Sequence, residues 1–261
     1  MAYPRPVQCT TLWATIRHEA SAVAVDEPVF AAWMHEAILN HDNLATSLAQ
    51  LIAVALGGDS DDRAAIRRLA TEAYRADPAL TDIAERDLAA PLARDPACPG
   101  PLHVLLHFKG YLALQASRVA HRLWRQGRVD LARELQGRIS RSLHVSIHPS
   151  VQIGAGTFID HGTGVAIGEG VVIGDEVSML QGVTIGGDDR NAAPTIGHGV
   201  LLAAGAIILG PVKIGDFAKI GAGSLVTMSV PSGCTAVGVP ARLVNCQPGA
   251  RPASNMDQSL P

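Results

Sequence analysis

The residues best suited to chemistry gather in one short run, Asp160-His161-Gly162-Thr163-Gly164. A neutral imidazole, with an ordinary pKa near ~6.5, can take a proton from an attacking hydroxyl at neutral pH. A carboxylate beside it suits the cationic end of a small zwitterion. Arg190, in Asp188-Asp189-Arg190, carries the planar fork that grips carboxylates. Asp95, in Arg94-Asp95-Pro96-Ala97, is a further acid, although on local sequence alone it reads as a helix-start aspartate before proline. An isolated histidine is more often a satisfied residue at a corner than a base. The weight therefore rests on the whole run.

These residues must be positioned by two kinds of element. Residues from about 8 to 140 read as helices. Asp26 before Pro28, Asp42 before Leu44, and Asp77 with Pro78 are start signals, and Gly57-Gly58-Asp59 is a break. The clearest helix is predicted from Pro101 to Gln126. Leu102, Leu105, Leu106, Leu112, Val119 and Leu123 form its apolar stripe, and Gly127 stops it. A last helix runs from Asp130 to about Ile139. From Ile147 the period becomes six: Ile147, Ile153, Ile159, Val165, Val171, Val177 and Val183. A loop from Gly186 to Thr195 interrupts, and the series resumes in a new phase at Ile196, Leu202, Ile208, Ile214, Ile220 and Val226. Hexapeptide periodicity is the signature of a parallel β-helix, each unit giving one short strand and one corner. Glycine after the aliphatic, as in Ile173-Gly174 and Ile220-Gly221, suits those corners.

Composition agrees. Of 261 residues 48% are hydrophobic but only 4% aromatic, so the core must be aliphatic and alanine-rich. Charged residues, at 17%, are too sparse for a coiled coil, and the apolar content is too high for a disordered chain. The net charge of -3 gives no basic surplus for nucleic acid or an anionic membrane. Cys9, Cys98, Cys234 and Cys246 lack metal-ligand spacing and are expected as free thiols of a reducing compartment. The run Met1 to Thr10 has no apolar segment of signal-peptide type, and Leu48 to Leu56 is too short to span a bilayer. No glycine-rich nucleotide loop of Rossmann or P-loop type is present.

The repeat resembles the acyltransferases that use acetyl-CoA or acyl carrier protein, whose β-helix is left-handed, against the usual right-handed crossover. Three further stretches resemble one family among them, the serine O-acetyltransferases of cysteine biosynthesis. The first is Phe108-Lys109-Gly110-Tyr111-Leu112-Ala113-Leu114-Gln115-Ala116, followed by Arg118 and His121-Arg122-Leu123-Trp124. The second joins Ile147-His148-Pro149, the Asp160 to Gly164 run and Ile167-Gly168-Glu169. The third is Gly238-Val239-Pro240-Ala241-Arg242. The resemblance covers about residues 10 to 245.

With the repeat it gives an α+β chain: a helical domain over 1–142, for which the resemblance implies oligomerisation, and a left-handed parallel β-helix of about four coils over 143–246; the composition of 247–261, with three prolines, few apolar residues and no periodicity, predicts a flexible tail. The resemblance implies acetyl transfer from acetyl-CoA to the L-serine hydroxyl by direct attack, in the cytoplasm, with no metal. His161 would be the base, and Asp160, Asp95 and Arg190 would hold the amino acid. Backbone at Gly187, Ala204 and Ala222 would meet the pantetheine arm of acetyl-CoA, and Lys219 a phosphate. A trimer, or a dimer of trimers through the helical domains, is expected.

Three features depart from the family pattern. The aspartate that backs its catalytic histidine is Ser146 here, in Ser146-Ile147-His148-Pro149, which can select a tautomer but cannot offset charge. After Arg190 stands Asn191-Ala192-Ala193, without the family's histidine. The chain ends Ser259-Leu260-Pro261, without the isoleucine that docks into a sulfhydrylase, so that complex is not expected. These departures admit two alternatives, acetyl transfer to another hydroxy amino acid such as homoserine, or a weakly active or non-catalytic paralogue that serves as an assembly partner. The same fold also hosts zinc carbonic anhydrases of the γ class. His148, His161 and His198 lie 13 and 37 residues apart, however, and lack that class's pair five apart.

Overall fold

The computed structural model describes residues 11–187, 193–246 and 249–259. The first half is helical: α1 (Leu12–Asp26), α2 (Ala31–Met34), α3 (Leu44–Leu56), α4 (Ser60–Ala76), α5 (Ala79–Arg94), α6 (Pro101–His107), α7 (Lys109–Arg125) and α8 (Val129–Leu143). Local chemistry fixes several ends. Asp59 caps α4 by accepting from the Asp61 and Asp62 amides. At α3 the cap is Asn43 rather than the expected Asp42, and it accepts from the Thr46 amide. Asp26 closes α1, and the turn at Pro28–Phe30 begins after Glu27.

The helix expected over Pro101 to Gln126 is two helices. They break at Phe108, whose ψ of 92° is extended. The break lets the Phe108 ring stack on Phe158, with centroids 6.3 Å apart, and sets the start of α7 against the second half. A Cβ on Gly110 would lie 2.1 Å from the Ile159 carbonyl oxygen, so only glycine permits this approach.

The second half coils through β1 (Val145–Ile147), β2 (Gln152–Ile153), β3 (Phe158–Ile159), β4 (Val165–Ile167), β5 (Val172–Ile173), β6 (Ser178–Met179) and β7 (Thr184–Gly186). It continues through β8 (Thr195–Ile196), β9 (Leu201–Leu202), β10 (Ile207–Leu209), β11 (Lys213–Ile214), β12 (Lys219–Ile220) and β13 (Leu225–Val226). Every third strand stacks in parallel register, giving three faces: β1-β4-β7-β10-β13, β2-β5-β8-β11 and β3-β6-β9-β12. Inward side chains form aliphatic ladders, such as Ile147, Ile167, Ile185, Ile208 and Val226. All are buried in a core continuous with that of the helices. No aromatic is needed in so narrow a section.

Besides the interrupting loop before β8, the corner before β4 is enlarged. Ile147 pairs with Ile167, twenty residues on, whereas Ile167 pairs with Ile185, eighteen on. The turn between β3 and β4 therefore holds two extra residues, and it is the Asp160 to Gly164 run. The sixfold series Ile147 to Val183 crosses this insertion: before it the series marks strand ends, and after it Val165, which opens β4, and the buried corner positions Val171, Val177 and Val183.

Past β13 the chain turns back in an antiparallel pair, β14 (Cys234–Gly238) and β15 (Ala241–Cys246). This overturns the expectation of free thiols for two cysteines. Cys234 and Cys246 face each other across the pair and are joined by a disulfide, while Cys98 is free. The tail differs too from the flexible segment its composition suggested. It forms α9 (Pro252–Asn255), whose buried Ala253 packs against Leu180 and Leu201.

The two halves are bolted together by buried charge. Asp87 on α5 accepts from Gln115 Nε2 and Arg118 Nε, each at 2.9 Å, and from the Thr157 amide at 3.0 Å. Arg118 also donates to the Ile153 and Gly154 carbonyls, each at 2.8 Å. Arg94, at the end of α5, donates to Ser178 Oγ at 3.0 Å and pairs with Glu176. This network fixes α5, and so the position of the next residue, Asp95.

Candidate active site

The enlarged corner projects His161 outward. His161, Gly162 and Gly164 have φ of 56°, 75° and 79°, a run of left-handed residues that turns the chain tightly. The Gly162 amide folds back on the Asp160 carbonyl at 2.6 Å, and the Gly164 amide donates to the His144 carbonyl at 2.8 Å. The His161 side chain is 72% exposed and that of Asp160 only 21%. His161 Nε2 and Asp160 Oδ2 are 3.9 Å apart.

A cavity of about 380 Å³ opens here between the two halves. The β-helix gives it Ile159, Asp160 and His161, the end of α5 gives Asp95 and Ala97, and α6 to α7 give His103, His107, Phe108, Lys109 and Gly110. Asp95 caps the end of α5, and its Oδ1 accepts from the Ala97 amide at 2.8 Å. Burial pushes the Asp160 carboxyl above the usual carboxylate range, and the charge of Asp95 adds to this while that of His161 opposes it. Burial, with the neighbouring His103, pushes the His107 imidazole down.

His161, Asp160 and Asp95 are thus brought together from distant parts of the sequence. Ser146 is not joined to them by a hydrogen bond among the described residues; its hydroxyl accepts from Gln136 Nε2 at 3.3 Å. Arg190 lies outside the described residues. The three histidines weighed as zinc ligands sit at different corners. The His148 ring packs edge-on to Trp124, His198 Nδ1 accepts from the Asp175 amide, and His161 faces the cavity.

Of the residues expected against acetyl-CoA, Ala204 and Ala222 share the corner column of His161. Each coil presents a left-handed glycine there: Gly164, Gly182, Gly205 and Gly223. A Cβ on one would stand 3.4 to 3.9 Å from the backbone of the next. Backbone bonds tie the column, from the Gly182 amide to the Thr163 carbonyl, Gly205 to Gln181, and Gly223 to Ala204, each at 2.9 Å. The result is a side-chain-poor edge running from His161 along the axis, which the spacing of these glycines could have revealed. Gly187 lies at another corner, after β7. Lys219 is buried on β12, where its ammonium donates to Asp257 Oδ2 at 3.0 Å and to the Ser259 carbonyl at 2.6 Å.

A parallel β-helix of six-residue units, with an imidazole and a carboxylate at one swollen corner, defines a transferase of the hexapeptide-repeat class. Residues 193–227 match the family model described as bacterial transferase hexapeptide (six repeats). Residues 12–116 match the model for the N-terminal region of serine acetyltransferase. The chain is 44% identical to the serine acetyltransferase of Salmonella typhimurium over 250 residues, covering 95% of this chain and 92% of that one. It is 42% identical to that of Haemophilus influenzae, over 95% and 94%. A solved serine acetyltransferase in complex with cysteine superposes with a TM-score of 0.93 at 42% identity, over 95% of this chain and 98% of that one. A soybean serine acetyltransferase complexed with serine superposes at 0.87 with 45% identity, over 92% and 100%. The chain belongs to the serine acetyltransferase family.

Proposed function

We propose that the chain transfers the acetyl group of acetyl-CoA to the hydroxyl of L-serine, giving O-acetyl-L-serine and CoA. The observation that carries this reading is the convergence of His161, Asp160 and Asp95 on one cavity in a chain so similar to serine acetyltransferases. The two carboxylates suit the ammonium of the amino acid, and the imidazole suits its hydroxyl. Arg190 takes the carboxylate in this reading, as the resemblance implies.

His161 removes the hydroxyl proton as the oxygen attacks the thioester carbonyl. The new C–O bond forms, the C–S bond breaks, and the proton passes to the departing thiolate. Acetyl-CoA supplies the activated acetyl group. The edge of Gly164, Gln181-Gly182, Ala204-Gly205 and Ala222-Gly223 lets its thin arm approach backbone closely. Lys219 can reach a phosphate only when the segment from Asp257 to Ser259 releases it. Ser146 replaces the charged partner of the base and leaves the imidazolium without an offsetting carboxylate there.

The base is open to solvent in a single chain, so a neighbouring β-helix completes the site in a trimer, with the helical half joining trimers. No described helix is long and apolar enough to cross a membrane. Incubation with acetyl-CoA and L-serine, followed by mass spectrometry, tests the activity. O-acetyl-L-serine formed only with both substrates is the expected result; thiol release without serine, or acetylation of homoserine alone, would contradict it.

A further inference from the structure

Both carboxylates of the cavity are held from strand β6. The Asp160 amide donates to the Met179 carbonyl at 2.8 Å. Asp95 follows Arg94, and the Arg94 guanidinium reaches the residue before Met179. Its Nη1 donates to Ser178 Oγ at 3.0 Å, and its Nη2 pairs with Glu176, which Arg86 of α5 also meets at 3.2 Å. Arg94 and Ser178 are both buried.

The other side of Ser178 is covered by the chain's own tail. The Ser178 hydroxyl donates its single proton to the Ala253 carbonyl of α9 at 3.1 Å, while its lone pairs accept from Arg94. A hydroxyl that accepts from a cation and donates to a carbonyl is polarised, so each bond strengthens the other. The tail is seated there by further contacts. Ala253 is wholly buried against Leu180 and Leu201, the Arg251 guanidinium lies 3.8 Å from the centre of the Phe217 ring, and α9 touches α5 itself. With the tail unseated, water takes the place of the Ala253 carbonyl and enters beside Arg94. The bond that fixes the end of α5 then weakens in the higher dielectric.

We propose that Ser178 is a positioning residue for the acceptor: through its hydroxyl the seated tail holds Arg94, and Arg94 holds Asp95 at the ammonium of the amino acid. This rests on the serine-acetylating reading and adds to it a part for α9 in acceptor binding. The tail touches neither the acceptor nor His161 in this account. It acts on KM for serine by keeping one carboxylate in place.

The test compares the wild type with Ser178→Ala, with Ser178→Thr, and with a full-length chain carrying Arg251→Glu and Ala253→Arg. The last has an unseated tail, because the buried Ala253 leaves no room for an arginine. That tail is also combined with Ser178→Ala. Two quantities are read: KM for serine, and hydrogen exchange of the Asp95, Ala97 and Cys98 amides, which bond the Pro91 carbonyl, Asp95 Oδ1 and the Asp95 carbonyl. We expect Ser178→Ala and the unseated tail each to raise KM for serine about 5- to 20-fold with kcat within about twofold, and to speed that exchange. Ser178→Thr restores both quantities, and the combination is no worse than Ser178→Ala alone, since the two act through one hydroxyl. A serine KM within about twofold of wild type in either variant, a loss in kcat without a change in KM, or effects that multiply in the combination would overturn the proposal. If the wild type does not acetylate serine, the reading of the activity fails separately. The exchange of the three amides needs no substrate and then decides for Ser178: faster exchange in both variants upholds its hold on Asp95, and unchanged exchange overturns it.

Discussion

Asp160 stands half-buried beside Asp95, and both its burial and that neighbour raise its carboxyl above the ordinary carboxylate value. The folded protein thus holds this proton to higher pH than the unfolded chain. Keeping Asp160 charged costs stability at any pH above the folded value, and the cost fades as pH falls toward the ordinary value. Asp160→Asn should therefore melt higher than wild type near about pH 8, with the difference shrinking toward about pH 4. The same variant should lose about 10- to 100-fold in kcat/KM for serine, because the ammonium loses a charged partner. Scanning calorimetry across pH, with steady-state kinetics, reads both. His161 and Asp160 were legible in the sequence because they stand in one run. Asp95 was legible only by resemblance: nothing in Arg94-Asp95-Pro96 shows that Arg94 reaches Ser178, which fixes the end of α5 beside the corner.

The site depends on a helix start pressed against a β-helix corner. Gly110 is the contact point, and a methyl group there would meet the Ile159 carbonyl at 2.1 Å. Gly110→Ala should cost about 1–3 kcal/mol of stability by overpacking. It should also lower kcat on the order of 10²-fold, since shifting α7 displaces the corner that carries His161. Urea denaturation and turnover assays check the two effects. The hexapeptide series predicted the strands, because inward positions recur wherever coils stack. It concealed the two-residue insertion at the site, because Val165 to Val183 continue the count while occupying a different position in the coil. The second aliphatic set, Ile167, Ile173 and Ile185, each before or within a glycine-bearing corner, held the true phase. The division at Phe108 was hidden for another reason. Apolar residues continue at helical spacing across it, and only the packing of Phe108 on Phe158 requires the break.

A single chain leaves His161 at the glycine edge uncovered and places Ile207 and Leu209 of β10 and Val172 of β5 partly in solvent. A second apolar patch, Val25, Val29, Phe30 and Trp33, lies on the helical half. Two separate patches fit two kinds of contact between copies. Light scattering should give a mass of three or six chains, and a monomer at working concentration would contradict the shared site. At this scale the sequence was least informative. The Cys234–Cys246 bond depends on the antiparallel return of β14 and β15, which the repeat does not predict. The docked tail depends on a cleft formed by Leu180, Leu201 and Ala204 of successive coils.

In the proposed mechanism the corner imidazole performs the proton transfer. The most direct measurement is serine-dependent thiol release from acetyl-CoA by wild type and His161→Ala, with serine binding measured in parallel. A loss of about 10²- to 10⁴-fold in kcat, with serine still bound, is the predicted result. Undiminished release by the His161→Ala protein would contradict it.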